Sequence, residues 1–497
     1  MPQSGQAFLP RRTRCALAAG AVLLLCGARP APAAGEPWRE KVHPGLLEQA
    51  AKGPTEFILF LEEQADLHAA ATLRSKAARG GFVFETLRGL SGRTQAPILA
   101  LLEARGVEHR SFWIANMIQV RGDSRLLETL ARRADVRHVA ANPRIRMELP
   151  VLPAGAGSLE AVAAVGWNIV RVEADQVWGL GYTGRGVVVG GQDTGYQWDH
   201  PALIGRYRGW DGAAASHDYN WHDAIHSGGG ICGYDTTAPC DDNGHGTHTL
   251  GTAVGDDGGV NRIGVAPGAR WIGCRNMDQG VGTPATYAEC FQWFVAPTDL
   301  EGANPDPALA PDVMNNSWAC PPSEGCSPLV LQTVVENTVA AGIVVVVSAG
   351  NSGSDCFTVD DPPAIYAASL TVGATTSLDG IASFSSRGPV TVDGSGRPKP
   401  DYDLDWQKTY DKMVMTAEAA VGKIRPGQTV FIGSASAQPL HLVRALVGRE
   451  GDLADVKVLS SLTLGDAPYA YEDLADNFYV NTFFVSANVR NMIQEGI

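Results

Sequence analysis

The sequence has no basic footprint. Its 497 residues carry 39 Lys and Arg against 53 Asp and Glu, a formal net charge of -14, whereas phosphate binding needs a concentrated positive surface. The charge therefore argues against nucleic acid as a partner, and the acidity otherwise speaks only to solubility. Beyond Cys26 there is no apolar run of bilayer-spanning length, so no membrane span is expected. No CxxC pair and no His/Cys cluster at ligand spacing occurs, which argues against a zinc site. Cysteine is also confined: Cys15 and Cys26 lie near the start, and Cys232, Cys240, Cys274, Cys290, Cys320, Cys326 and Cys356 share one segment.

What is present begins with an export pattern. Arg11, Arg12 and Arg14 precede the apolar run from Cys15 to Cys26 and a small-residue site at Ala31, Pro32 and Ala33. That order predicts a secretory signal over 1–33 and a chain secreted, to the extracellular or periplasmic space, after cleavage. In an oxidising compartment the later cysteines read as disulfides. The short separations suggest Cys232 with Cys240 and Cys320 with Cys326, and the odd count leaves one thiol unpaired.

The length and the 45% hydrophobic content allow two or three domains with cores of their own. From Glu56 to Leu61 an apolar run predicts a strand. Asp66 opens a helical pattern through Leu73 that is expected to stop at Gly80, and a helix carrying Ile98, Leu99, Leu101 and Leu102 ends at Gly106. A strand about Phe112 to Val120, a helix with Leu126, Leu127 and Leu130, and a strand about Val136 to Ala141 complete a split βαβ sandwich over 34–150. Its place after a signal and ahead of a catalytic-looking segment suggests a propeptide. The stretch VLPAGAGS, from Val151, reads as an exposed linker over 151–166.

Helices then alternate with short continuous apolar strands at Val187 to Val189, Trp271 and Ile272, Val313 and Met314, and Ile343 to Val347. This pattern predicts an α/β domain with a parallel sheet covered on both faces, with functional groups gathered at the strands' carboxyl ends. Three groups fall there. Asp193 follows the first strand and can orient an imidazole. His245 sits in DDNGHGTHTLGTAVG, a Gly/Thr-rich turn opening a small-residue helix, with His248 three residues on. Asn351 follows the strand AGIVVVV, where a side-chain amide can donate to a developing oxyanion.

Asp193, His245 and Asn351, in that order and with those flanks, resemble the subtilisin-like serine proteases (subtilases), with wording of the bacillopeptidase F type. The resemblance runs from about Trp167 to Asp401. It implies a subtilisin-like parallel sheet with helices on both faces, preceded by a ferredoxin-like α+β propeptide, and a serine endopeptidase working by acyl transfer. It makes His245 the general base, Asp193 its orienting carboxylate, Asn351 the oxyanion donor and His248 structural. Ser317, Trp318 and Ala319 match the strand that binds the substrate backbone, with Ala319 where Gly is usual; Trp318 reads equally well as core. The implied partners are a protein or peptide substrate and the chain's own propeptide, acting on a monomer. No cofactor is required, calcium being allowed; metal ligands are not identified.

The pattern then breaks. ASFSSRGP, from Ala382, and GRPKPD, ending at Asp401, still read as subtilase, but the helix opening G-T-S-M-A-A-P that carries the family's nucleophile never arrives. Ser385 and Ser386 belong to a loop that subtilases carry in addition to the nucleophile, and GSASAQP from Gly433 has Ala435 at the nucleophile's place. The nucleophile is thus absent, and the missing helix is expected to leave apolar surface on the sheet. Residues 402–497 resemble instead the N-terminal domain of acetyl-CoA hydrolase/transferase proteins, including 4-hydroxybutyrate CoA-transferase, through KIRPGQTVFIGSASAQP, SLTLGDAPYA and YVNTFFVSANVRNMIQEG. A partial α/β CoA-transferase-like domain is implied, with Gly433 and Ser434 in a weak phosphate-cradling position; that family keeps its catalytic Glu in its second half. A chimera of a protease gene (167–401) and a CoA-enzyme gene is the expectation, with a catalytically inactive chimeric protein and a CoA hydrolase/transferase fragment as the alternative functions.

Overall fold

The computed structural model describes residues 36–149, 165–228, 230–259, 262–388, 390, 415–432, 439–462 and 467–484. The predicted signal, nearly all of the predicted linker and the junction near Asp401 lie outside the described residues. The chain divides into two compact units, Met1–Gly396 and Arg397–Ile497.

The first unit begins with α1 (Pro44–Lys52), β1 (Thr55–Leu61), α2 (Lys76–Thr94), α3 (Ala96–Ala104), β2 (His109–Phe112), β3 (Met117–Gly122), α4 (Ser124–Ala131) and β4 (Val136–Ala141). Antiparallel pairing in the order β2-β3-β1-β4 gives the ferredoxin-like arrangement. From Phe57 to Leu61 β1 is apolar and buried because both faces of its sheet are covered. Phe57, Leu59 and Leu61 join Leu46, Ile98, Leu102 and Leu127 in one cluster. Ile58 and Phe60 join Val83, Ile114, Phe291 and Val334 in another.

Two expectations are corrected here. The helical pattern does not stop at Gly80: a 3-10 turn at His68–Thr72 precedes Ser75, whose hydroxyl accepts from the Ala78 amide at 3.2 Å, and α2 runs on through Gly80. Gly80 serves packing instead, since a Cβ there would meet Pro307 at 3.3 Å. Nor do Phe112 to Val120 form one strand. They are parts of a β2–β3 hairpin that reverses at Asn116, held at a left-handed φ of 46° by its amide donating to Glu63 O (2.8 Å) and Thr94 Oγ1 (2.9 Å).

After β5 (Ile145–Arg146) and short helices α5 (Trp167–Arg171) and α6 (Ala174–Gly179) come β6 (Val188–Asp193), β7 (Trp221–Asp223), α7 (His245–Val254), β8 (Arg270–Arg275), β9 (Met277–Asp278), β10 (Val281–Gly282), α8 (Pro284–Val295), β11 (Val313–Asn316), α9 (Gln332–Ala340), β12 (Val344–Ser348) and β13 (Leu370–Val372). Six of the strands form a parallel sheet in the order β13-β12-β11-β6-β8-β7. Met314, Val345 and Val347 lie in one core cluster with Phe291 of α8 and Val334 of α9. Val189 and Trp271 join Leu250 and Val254 of α7 in another.

One face is incompletely covered. Val344 is 50% exposed, Leu370 57% and Val372 50%. The register pairs Val313 with Val344, Val346 with Leu370, and Ser348 with Val372, which puts these side chains on the same face. Parallel sheets are ordinarily buried on both faces; here the described residues leave these apolar side chains half exposed.

The disulfides Cys232–Cys240 and Cys320–Cys326 are as expected, and Cys356 is free and exposed. A third, Cys274–Cys290, ties β8 to α8. Among the described residues no helix is long and apolar enough to cross a membrane, and no group of His, Cys, Asp or Glu is placed to hold a metal.

The second unit has α10 (Ala417–Val421), β14 (Thr429–Ile432), α11 (Leu440–Val447), β15 (Val456–Leu462) and β16 (Phe478–Phe484). Its strands are parallel in the order β14-β15-β16 around Val421, Ile432, Leu446, Val458 and Phe478. Gly433, Ser434 and Ala435 lie outside the described residues.

Candidate active site

Parallel strands β6, β11 and β12 are neighbours, so their carboxyl ends share one edge of the sheet. Asp193 ends β6, Ser317–Ala319 follow β11 and Asn351 follows β12. His245 reaches the same edge as the first residue of α7.

Asp193 is fully buried. Its Oδ1 accepts from His245 Nδ1 at 2.7 Å and from the Thr194 amide at 2.7 Å, and Thr249 Oγ1 donates to Oδ2 at 3.3 Å. A carboxylate on Nδ1 fixes the ring orientation and leaves Nε2 facing outward as a base. Burial alone would lower the His245 pKa. The hydrogen bond to Asp193 and the charges of Asp193 and Asp241 outweigh it, and the pKa lies above its ordinary value. Among the described residues, no serine hydroxyl hydrogen-bonds the imidazole.

The turn is built for close approach. At Gly246 a Cβ would lie 2.1 Å from Gly195 O and 3.0 Å from Asp193 Cβ, so only glycine lets α7 sit against β6. Asp241 ties the loop together: its Oδ1 accepts from the Gly244 amide (2.8 Å) and Thr194 Oγ1 (2.9 Å), and its Oδ2 from the Thr247 amide (3.0 Å) and hydroxyl (2.5 Å). Sequence reasoning quoted Asp241 without giving it a role. An acidic residue four positions before the histidine, with Thr247 two beyond, was the available signal. His248 is exposed and lines a separate cavity with Trp198 and His200.

Asn351 is exposed, and its side-chain amide donates to the backbone carbonyl of Glu148 at 3.2 Å. That carbonyl belongs to a segment laid along the cleft. β5 pairs antiparallel with β10, which pairs with β9; the Met147 amide donates to Gly280 O at 2.8 Å, and the Arg146 amide to Glu324 Oε2 at 2.9 Å. Ser317, Trp318, Ala319 and Asn351 line a cavity of about 260 Å³ beside Arg146, Met147 and Glu148. Trp318 is also core: it is 3% exposed and stacks on Tyr287 at 3.9 Å between ring centroids. Sequence reasoning missed this docked segment, because nothing local in IRME marks it as a strand.

Ser385 and Ser386 are buried, and their hydroxyls accept from the Ala374 and Ser352 amides, both at 3.0 Å. Ser386 thereby braces the loop that carries Asn351.

The elements thus bring together, at one edge of the parallel sheet, a buried Asp193, a partly buried His245, a side-chain amide and an extended segment of the chain. Residues 184–405 match the model of the subtilase family. Residues 399–497 match the acetyl-CoA hydrolase/transferase N-terminal domain, so the two matches meet at 399–405.

Among individual relatives, bacillopeptidase F of Bacillus subtilis (strain 168) is 32% identical over 375 residues, 69% of this chain and 25% of that protein. Serine protease AprX of the same organism is 36% identical over 233 residues, 44% of this chain and 46% of that protein. This chain thus spans less than half the length of either. The solved epidermin leader peptide processing serine protease (EpiP) of Staphylococcus aureus has 14% identity and a TM-score of 0.43, covering 67% of this chain and 72% of that one.

Proposed function

We propose that the first unit is the zymogen form of a secreted subtilisin-like serine endopeptidase and that, in this chain, it lacks the nucleophile and does not catalyse. The observation that carries this is the 2.7 Å contact of His245 Nδ1 with buried Asp193 in a domain of the subtilase family. It is the base-and-orienter half of an acyl-transfer triad. Residues 34–150 act as the propeptide, 151–166 as the linker and 167–401 as the incomplete catalytic domain. Asn351 serves as oxyanion donor, and Ser317–Ala319 with β10 bind an extended peptide. The segment at Arg146 to Glu148 occupies the cleft as a substrate strand would, which supports autoinhibition by the chain itself. Secretion is supported by the three disulfides; no cofactor is needed for the step, and calcium is compatible with it.

With a nucleophile in place, its hydroxyl proton would pass to His245 Nε2 as the oxygen attacks the peptide carbonyl, and Asn351 would stabilise the resulting oxyanion. Removing one such donor typically costs ~3 kcal/mol of barrier. The test is to insert a serine-bearing helical segment after Asp401 and treat the protein with a fluorophosphonate probe. Labelling is expected in the insertion variant, none in the chain as written, and none in the insertion variant with His245→Ala. Labelling that survives His245→Ala overturns the assignment.

A second reading concerns residues 402–497, because a family model matches them: a fragment of an acetyl-CoA hydrolase/transferase. Calorimetry of the full chain with acetyl-CoA tests it. No heat of binding is expected, since that family's catalytic Glu lies in a half that the match does not include.

A further inference from the structure

The cavity beside Glu148 is acidic at its lining. Asp360, Asp361 and Glu324 contribute to it together with Asn351 and Ala319. Among the described residues no Lys, Arg or His forms an ion pair with any of the three carboxylates. Glu324 has its Oε2 on the Arg146 amide. The one cation on the lining, Arg146, is exposed. Asp361 is only partly accessible, and burial with the charges of Asp360 and Glu324 pushes its pKa up to about 6.

The cavity's role is set by what already lies against it, not by its acidity. A peptide segment of this chain runs antiparallel to β10 and presents the Glu148 carbonyl to Asn351. In that pose the cavity is where the side chain next to the reacting carbonyl belongs. Glu148 is among the residues that line it and is itself exposed. At ~30 Å³ per water, about 260 Å³ has room for a side chain as long as Arg. An extended stem would pass Ala319 and Trp318, and a positive head would meet Asp361 and Asp360. Like charges held together in a partly dry site are relieved by a bound cation.

We propose that this cavity takes a cationic side chain, Lys or Arg, of a bound peptide, and that Asp361 is the residue that sets this preference. The inference rests on the cleft being a peptide-binding cleft, as proposed above. On this basis the tail's own Glu148 is a poorly matched occupant, held by its backbone and not by its side chain.

The test uses the full chain, with hydrogen exchange of the Ile145–Glu148 segment read by mass spectrometry. Glu148→Arg is expected to slow exchange about tenfold relative to Glu148→Ala, an advantage of ~1.4 kcal/mol. Asp361→Asn should remove that difference, as should Asp361→Ser if the amide packs badly. Exchange in β6 and β8 monitors folding in each variant. Equal exchange in Glu148→Arg and Glu148→Ala overturns the proposal, as does a difference that persists in both Asp361 variants. Protection that depends on millimolar calcium and not on residue 148 assigns the carboxylates to a cation and likewise overturns it. An unprotected segment in the parent chain overturns the peptide-cleft reading itself, a result distinguishable from the others.

Discussion

The side-chain amide of Asn351 is bonded to the backbone carbonyl of Glu148, a residue 203 positions earlier in the chain, at 3.2 Å. The donor proposed to stabilise an oxyanion is therefore engaged by a carbonyl of the same molecule. Asn351→Leu keeps the bulk and removes the donor. A lost hydrogen bond of ~1 kcal/mol predicts about fivefold faster exchange at the Met147 amide, with β6 and β8 unchanged. Unaltered exchange at Met147 would show that the contact contributes nothing.

The His245–Asp193 pair gives a pH signature. The folded pKa of His245 is raised, so its contribution to stability is fully present below the ordinary value near 6.5 and is lost as pH rises through the folded value. Asp193→Asn removes the charge. The parent chain should exceed this variant in urea stability by more at pH 6 than at pH 8, and the His245 Cε1 proton should titrate at lower pH in the variant. A stability gap that widens toward pH 8 contradicts this.

Asp361 has the opposite sign. An acid whose folded pKa is pushed up to about 6 destabilises the fold increasingly as pH rises from about 4 to 6, and by a constant amount above that. Asp361→Asn should stabilise the first unit at pH 7 by ~1 kcal/mol, after allowing for solvent screening of a partly exposed group, and leave stability at pH 4 little changed. Thermal melts at the two pH values decide it; a gain at pH 4 alone is the contrary outcome.

The bare sheet face makes a prediction about packing. Val372 and Leu370 are half exposed, so Val372→Thr should change stability by no more than ~0.5 kcal/mol, where a covered face would lose about 1–3 kcal/mol. Binding of a fluorescent apolar dye should fall in the same variant. A large loss of stability would mean that something covers this face in solution.

Much of the fold is legible in the sequence because its signals are periodic. The runs at Glu56–Leu61 and Ile343–Val347 read as strands, and Asp193, His245 and Asn351 stand out by their flanks. What was not legible depends on partners distant in sequence. Gly80 looked like a helix stop because a glycine's packing against Pro307 leaves no local trace. The turn at Asn116 hides within an apolar stretch, since its stabilising contacts come from Glu63 and Thr94. Cys274 and Cys290 pair across a strand and a helix, with none of the short spacing that marked the other two bridges. The tail at Arg146 to Glu148 is a strand only because β10 receives it.

The docking of β5 onto β10 separates two events that are easily taken for one. Arg146 to Glu148 are continuous with β4, whose sheet is anchored to α8 and α9 through the cluster that holds Ile58, Ile114, Phe291 and Val334. Severing the backbone beyond Glu148 would leave that strand in the cleft, still tethered at one end to a body bound by its own core. Such a break changes the covalent state at once but the occupancy of the cleft only when the whole four-stranded body departs. If residues 34–150 act as the propeptide proposed above, the waiting time for an open cleft would be a dissociation time, set by a buried apolar interface, and not by how fast the chain is cut.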